Sequence, residues 1–186
     1  HPVKTNIYIL FLIIKITYKM DVVIKLENIL ADFTKQFINW HNLEFDTDFE
    51  TSQDVLQFSF NVMPLSDKLA GFIKSPYLTS LKPVMSYTDI AEIKRSVGSI
   101  HVISQVVTEG SDRLYDWLDS HYPYVLDDIV FISDYVEFCE DVGTEVIIDT
   151  RLNKSKKLRT VLYKTPYTNN PAATNDIGDI LTQLNG

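Results

Sequence analysis

Cysteine is almost missing from this chain. Cys139 is the one thiol in 186 residues, so neither an intramolecular disulfide nor a thiol metal cluster can form. A reducing compartment is the default that follows. Glycine (6) and proline (7) are too sparse for a collagen-like repeat. Basic residues are short, 17 against 25 acidic, for a formal net charge of −8. That excludes a general nucleic-acid coat, because a phosphate backbone calls for a basic surface. Long apolar runs are missing too. The run Ile7 to Ile14 falls far short of the about 20 residues that span a bilayer. There is no internal repeat and no low-complexity segment. What is present, 45% hydrophobic and 12% aromatic, suffices for one sizeable core and rules out a disordered chain.

The first 19 residues differ from the rest. They hold Lys4, Lys15 and Lys19 and no acid, whereas residues 20–186 carry a net charge of −11. The preferred reading of 1–19 is sequence upstream of a start at Met20, ahead of a secretory signal or anchor, since no small-residue cleavage site follows the apolar run. An added edge strand is the other reading, and such a strand would need a cover against aggregation. Residues 20–186 then form one domain, with a small cap from about 42–86.

From Met20 the pattern alternates strand and helix. Val22-Val23-Ile24 ends at Lys25 and reads as a buried parallel strand. Glu27 to Trp40 places Leu30, Phe33, Phe37 and Trp40 at helical spacing. Residues 42–54 read as loop, Val55 to Val62 allows a strand, and Leu65 to Ile73 reads as a short helix. Pro76 and Pro83 punctuate a loop, and Tyr87 to Val97 is a helix stopped at Gly98. Strands follow at Ile100–Ile103, Ile129–Ile132, Val146–Ile148 and Leu158–Tyr163, with a helix at Asp112–Ser120 and a closing helix at Asp176–Leu184. Short apolar strands alternating with helices predict an α/β, Rossmann-type three-layer sandwich around a central parallel sheet.

Right-handed crossovers put every strand's carboxyl end on one edge, where ligands bind. The side chains placed there are Lys25, Glu27, Ser104, Ser133, Asp134, Asp149 and Thr150. As a set they predict a binding crevice; singly, each is also an ordinary polar strand end.

Val-Val-Ile-Lys-Leu-Glu-Asn-Ile-Leu-Ala-Asp-Phe (22–33) resembles the first motif of the 5′(3′)-deoxyribonucleotidases of the haloacid dehalogenase superfamily, where the strand ends in Asp-x-Asp. Asp112 to Pro123 is similar to the family's Lys-x-x-Trp-Leu-x-x-His-Phe-Pro segment, and Asp128 to Ser133 to its next strand. Glu145 to Asp149 resembles the strand of the paired acids, and Thr165 to Asn169 the Pro-Tyr-Asn turn. Gly71-Phe72 resembles the stretch before the second core helix. The ordered set covers nearly all of Met20 to Leu184. It implies a haloacid dehalogenase-like sandwich with a small cap, and it is strongest to small bacterial and phage forms. A cytoplasmic location follows, a host's if the source is viral.

The resemblance also implies a chemistry that this chain departs from. Family members transfer a phosphoryl group to the first Asp, protonate the leaving oxygen with the second, and use Mg²⁺ to offset charge repulsion. Lys25 stands at the nucleophile position, where an ammonium forms no acyl phosphate and ligates no metal. Glu27 stands at the acid/base position. Ser104 matches the phosphate-binding hydroxyl. Arg113 best matches the phosphate-binding lysine, but it is one residue off register, so that Leu114 takes the expected place. Of the paired metal-site acids only Asp149 is kept, beside Thr150. A Lys25–Asp149 ion pair is expected in the metal's stead, since unit charges about 4 Å apart attract by about 4 kcal/mol at an effective dielectric near 20.

Two functions follow. The first is a catalytically inactive relative that keeps the fold to bind phosphate or a nucleotide, or a protein partner, with no cofactor. The second is an active nucleoside-monophosphate phosphatase working through Glu27 or Asp149, with Mg²⁺ needed in that case. Neither general nucleic-acid binding nor a membrane span is expected. His41, His101 and His121 read as structural, Cys139 as a packing residue, and Trp40 and Trp117 as core. The basic run Lys154, Lys156, Lys157 and Arg159 beside Arg151 reads as a solvated helix face.

Overall fold

Valine and isoleucine are stiff at χ1 and pack well on a pleated surface. They build five strands in this computed structural model, which describes residues 19–49, 63–105, 111–132, 134–166, 168 and 170–186. The strands are β1 (Val22–Lys25), β2 (Ile100–Ser104), β3 (Asp128–Phe131), β4 (Val146–Asp149) and β5 (Arg159–Leu162). All pair in parallel, in the order β3-β2-β1-β4-β5. The register sets Lys25 beside Ile103 and Ile24 beside Ile148. The carboxyl ends of β1, β2 and β4 therefore meet on one edge, with β1 in the middle.

Successive strand residues point to opposite faces, and both faces are covered. Val22, Ile24, Val102 and Ile148 join one apolar cluster with Ile90, Leu114 and Ile180. Val23, Ile103 and Ile147 join a second with Leu158 and Cys139. The helices are α1 (Phe33–Phe45), α2 (Met63–Lys74), α3 (Tyr87–Ser96), α4 (Asp112–His121), α5 (Tyr135–Asp141) and α6 (Ile177–Asn185), with a 3₁₀ helix at Pro76–Ser80. The α5 helix lies on the face of the second cluster and α3, α4 and α6 on the other. This is the predicted α/β three-layer sandwich with a central parallel sheet. Each large aliphatic side chain so buried contributes about 1.5–3 kcal/mol.

Local chemistry sets the ends of the helices. Ser86 and Asp89 form a reciprocal capping box at α3. Asp134 caps α5 through Val136 N and Glu137 N, and Asp176 caps α6 through Asp179 N. Gly98 must be glycine. A Cβ there would lie 2.7 Å from the Lys19 carbonyl oxygen, and its N–H donates to the Met20 carbonyl at 2.8 Å.

Three expectations need correction. The first helix does not begin at Glu27. The Leu26 carbonyl accepts from the N–H groups of Ile29, Leu30 and Ala31 in a tight turn, and Asn28 has φ 65°. The Asn28 side chain then accepts from Thr34 N at 3.0 Å, so α1 opens at Phe33 and runs on to Phe45, into the expected loop. The basic run is not a helix face either, because residues 150–158 form an irregular crossover between β4 and β5. A third correction, to the Lys25–Asp149 pair, belongs with the site. The predicted strand Val55–Val62, residues 1–18, Ser133, Tyr167 and Asn169 lie outside the described residues, as does the 50–62 part of the expected cap.

What remains of the 42–86 region packs through aromatic rings. Phe72 of α2 meets Phe33 and Phe37 of α1 edge-on, with centroids 5.3 and 5.5 Å apart. Among the described residues, no helix is long and apolar enough to cross a membrane.

Candidate functional site

The tight turn after β1 starts the site. Its backbone follows Leu26 N to the Ile103 carbonyl, which continues the β1–β2 ladder by one bond. Segment Lys82–Met85 braces the turn from outside: Asp32 N, Val84 N and Met85 N bond across to Lys82, Leu30 and Ile29 carbonyls. Tyr122 locks both pieces. Its buried hydroxyl shares its hydrogen between the Leu30 carbonyl (2.9 Å) and the Met85 carbonyl (2.7 Å). Burial, with Tyr163 and Asp89 nearby, pushes the Tyr122 phenol well above its ordinary range.

Lys25 is half-buried at the end of β1. Its ammonium donates to Gln105 Oε1 at 2.9 Å, one residue past the end of β2. It does not pair with Asp149 as the sequence led us to expect. The physical reason is local: the ammonium is held by Gln105 on the β2 side, while Asp149 Oδ1 accepts from its own neighbour, Thr150 N, at 2.6 Å, with the Thr150 hydroxyl at 3.4 Å. Asp149 is 2% exposed.

Glu27 is also 2% exposed, and Ser104 is wholly buried. The Ser104 hydroxyl donates to Glu27 Oε1 at 2.5 Å, tying the β1 turn to the end of β2. Glu27 Oε2 is buried with no hydrogen-bond partner among the described residues. A buried acceptor left unmade costs about 1–3 kcal/mol.

Arg113 sits in the first turn of α4. Its Nη1 donates to the carbonyls of Ile73 (2.9 Å) and Ser75 (3.2 Å), closing the carboxyl end of α2. Leu114, at the place where the resemblance puts a lysine, is fully buried in the main cluster. The structure thus brings Lys25, Glu27 and Ser104 together at the β1–β2 end, puts Asp149 at the end of adjacent β4, and engages Arg113 with α2.

Sequence reasoning missed two residues here. Gln105 follows Ser104 directly and could have been found by the same strand-end logic. Tyr135 follows Asp134 at the start of α5. Burial, then Asp149, Cys139 and Asp134, raise its phenol above the ordinary value, against Arg151. Asp134 itself caps α5.

The histidines have ordinary surroundings. His121 stacks on Trp117 at 4.3 Å. His101 Nδ1 lies 4.0 Å from an Asp128 oxygen, too far for a hydrogen bond. His41 is 3% exposed, with Nδ1 against the Thr47 hydroxyl (2.8 Å) and Nε2 accepting from Lys68 (3.2 Å). Trp40 and Trp117 are both 5% exposed, in the core as expected. Burial pushes the Cys139 thiol up to about 11.

The Mg²⁺ implied by the resemblance can be tested on this donor set. Magnesium demands near-octahedral oxygen ligation. An ammonium occupies the first carboxylate's position, Glu27 gives one oxygen to Ser104, and Thr150 replaces the second acid. Among the described residues, no three of His, Cys, Asp and Glu gather as a metal site. The residues do not fit the ion.

No protein-family model matches the sequence, and no curated protein matches it. Solved structures do match. A haloacid dehalogenase-like family hydrolase from Streptococcus pneumoniae superposes with a TM-score of 0.61 at 10% identity, over 89% of this chain and 98% of that one. A haloacid dehalogenase-like family hydrolase from Xanthomonas campestris gives 0.56 at 9% identity, over 90% and 95%. At such identities the likeness concerns backbone architecture, and it extends over nearly the whole of both chains. With its five-stranded parallel sheet and helices on both faces, this chain has the fold of the haloacid dehalogenase-like hydrolases.

Proposed function

We propose that this protein is a phosphatase-type relative that binds phosphate monoesters, nucleotides among them, without the covalent phosphoryl-transfer step. The observation that carries the reading is Lys25, whose ammonium lies at the end of β1 in contact with Gln105. Transfer to the protein needs a carboxylate there, and a protonated amine has no lone pair to attack phosphorus. The same ammonium supports anion binding, because it brings fixed positive charge to the strand-end crevice without a metal. It spends one hydrogen on Gln105, which leaves two for ligand oxygens. Ser104, at the end of neighbouring β2, keeps its hydroxyl hydrogen on Glu27 and so fixes the carboxyl group beside that charge.

The test is paired. Deoxynucleoside monophosphates are incubated with the protein and Mg²⁺, and released phosphate is measured; none above background is expected. The same nucleotides are titrated calorimetrically in the presence of a chelator; binding is expected, and Lys25→Met should abolish it. Turnover that Glu27→Gln or Asp149→Asn removes would overturn the reading in favour of an active phosphatase with an altered mechanism.

A further inference from the structure

Buried polar atoms in folded proteins almost always have a hydrogen-bond partner. Glu27 Oε2 has none among the described residues, although Glu27 is 2% exposed and its other oxygen is held by Ser104. Its neighbours at the strand ends do not relieve it. The Lys25 ammonium is turned to Gln105, and Thr150 N is given to Asp149. The strand ends thus hold a buried acceptor that lacks a donor among the described residues. Two buried carboxyl groups, Glu27 and Asp149, lie at these strand ends.

We infer that the anion taken at this crevice must bring its own hydrogen to Glu27, so that the site selects a phosphate group still carrying a proton and rejects sulfate. The inference rests on the anion-site reading above and refines which anion that site takes. Phosphate monoesters lose their last proton near about pH 6, so the P–O–H form is available close to neutrality. Sulfate carries no such hydrogen. In the bound state P–O–H donates to Glu27 Oε2, Lys25 offsets the remaining charge, and no covalent bond changes. A fully deprotonated anion would instead set its lone pairs against those of the carboxylate, a mismatch that strongly penalises binding.

The experiment titrates inorganic phosphate and sulfate separately into the full chain at about pH 6, with Glu27→Gln and Ser104→Ala alongside and circular dichroism to confirm folding. The native chain should prefer phosphate by about tenfold or more, the scale of one unpaired buried polar group. Glu27→Gln is nearly isosteric and donates where the carboxylate accepts. It should gain affinity for sulfate and bring the ratio to within about twofold. Ser104→Ala keeps the carboxylate and should keep the preference. Equal binding of both anions by the native chain overturns this inference and leaves the anion site standing. Binding of neither overturns both. A preference that survives Glu27→Gln but not Ser104→Ala overturns the assignment to Glu27.

Discussion

The Lys25 ammonium lies 2.9 Å from Gln105 Oε1 and so joins the ends of two adjacent strands, β1 and β2. A charged donor meets a neutral acceptor there. The lysine's charge is oriented without being neutralised by the carboxylate of Asp149, whose Oδ1 faces Thr150.

That orientation makes metal dependence a sharp test. Mg²⁺ should leave the melting temperature of the native chain unchanged. Lys25→Asp supplies a second carboxylate near Asp149, and Mg²⁺ should then raise the melting temperature by a few degrees, as binding to the folded state requires. A native chain stabilised by Mg²⁺ to the same extent would show a metal site that does not depend on this position.

Arg113 should act first on stability. Its guanidinium holds the carbonyls of Ile73 and Ser75 at the end of α2. Arg113→Met should lower unfolding free energy by about 1.5–3 kcal/mol in urea, the range for charged hydrogen bonds. Nucleotide affinity should fall less than in Lys25→Met. The reverse order would place the guanidinium at the ligand.

His41 predicts an acid limb. Burial first, and the Lys68 ammonium second, hold its imidazole below the usual 6.5. The folded state keeps His41 neutral while the unfolded chain takes up a proton below 6.5, so this stability is present above that pH and is lost as pH falls through the folded value. Lys68→Met should move the His41 titration upward in proton NMR, still short of 6.5, since burial remains. A midpoint unmoved by Lys68→Met would remove the lysine from the cause.

An alkaline limb follows from the same linkage. Burial raises the Cys139 thiol from 9.0 to about 11. Burial also raises the phenols of Tyr122, Tyr135 and Tyr163 above 10.0. Raised values mean that the protonated forms belong to the folded state. Their stability is whole below the unfolded values and is lost as pH climbs past them. Cys139→Ala should flatten the first part of that loss, between 9.0 and about 11, in urea midpoints measured against pH.

The sheet was legible because its signal is local: each strand is a short β-branched run, and β-branched runs between helices admit few arrangements. The placement of Lys25, Glu27, Ser104 and Asp149 on one sheet edge followed from the same rule, since all end strands or follow them. The first helix was misplaced because Leu30 falls at helical spacing with Phe33 and Phe37, yet Leu30 is buried in the turn, its carbonyl under Tyr122. That contact spans 92 positions, and periodicity carries no such information. The Lys25 partner failed for a related reason. Register says which strands adjoin, and rotamers decide which side chains meet. Arg113 could be placed near the site by motif spacing, while its hold on α2 depends on how α4 packs.

The position of β1 has a consequence for how the chain is made. Of the described strands, the first to leave the ribosome is the centre of the sheet, and its two neighbours, β2 and β4, begin at Ile100 and Val146. At about 5–20 residues per second, Val22, Val23 and Ile24 wait several seconds for a first partner and longer for the second. Until then three residues that are fully buried in the native protein form a bare apolar edge. Synthesis rate and chaperone supply should therefore govern its yield more than native stability does.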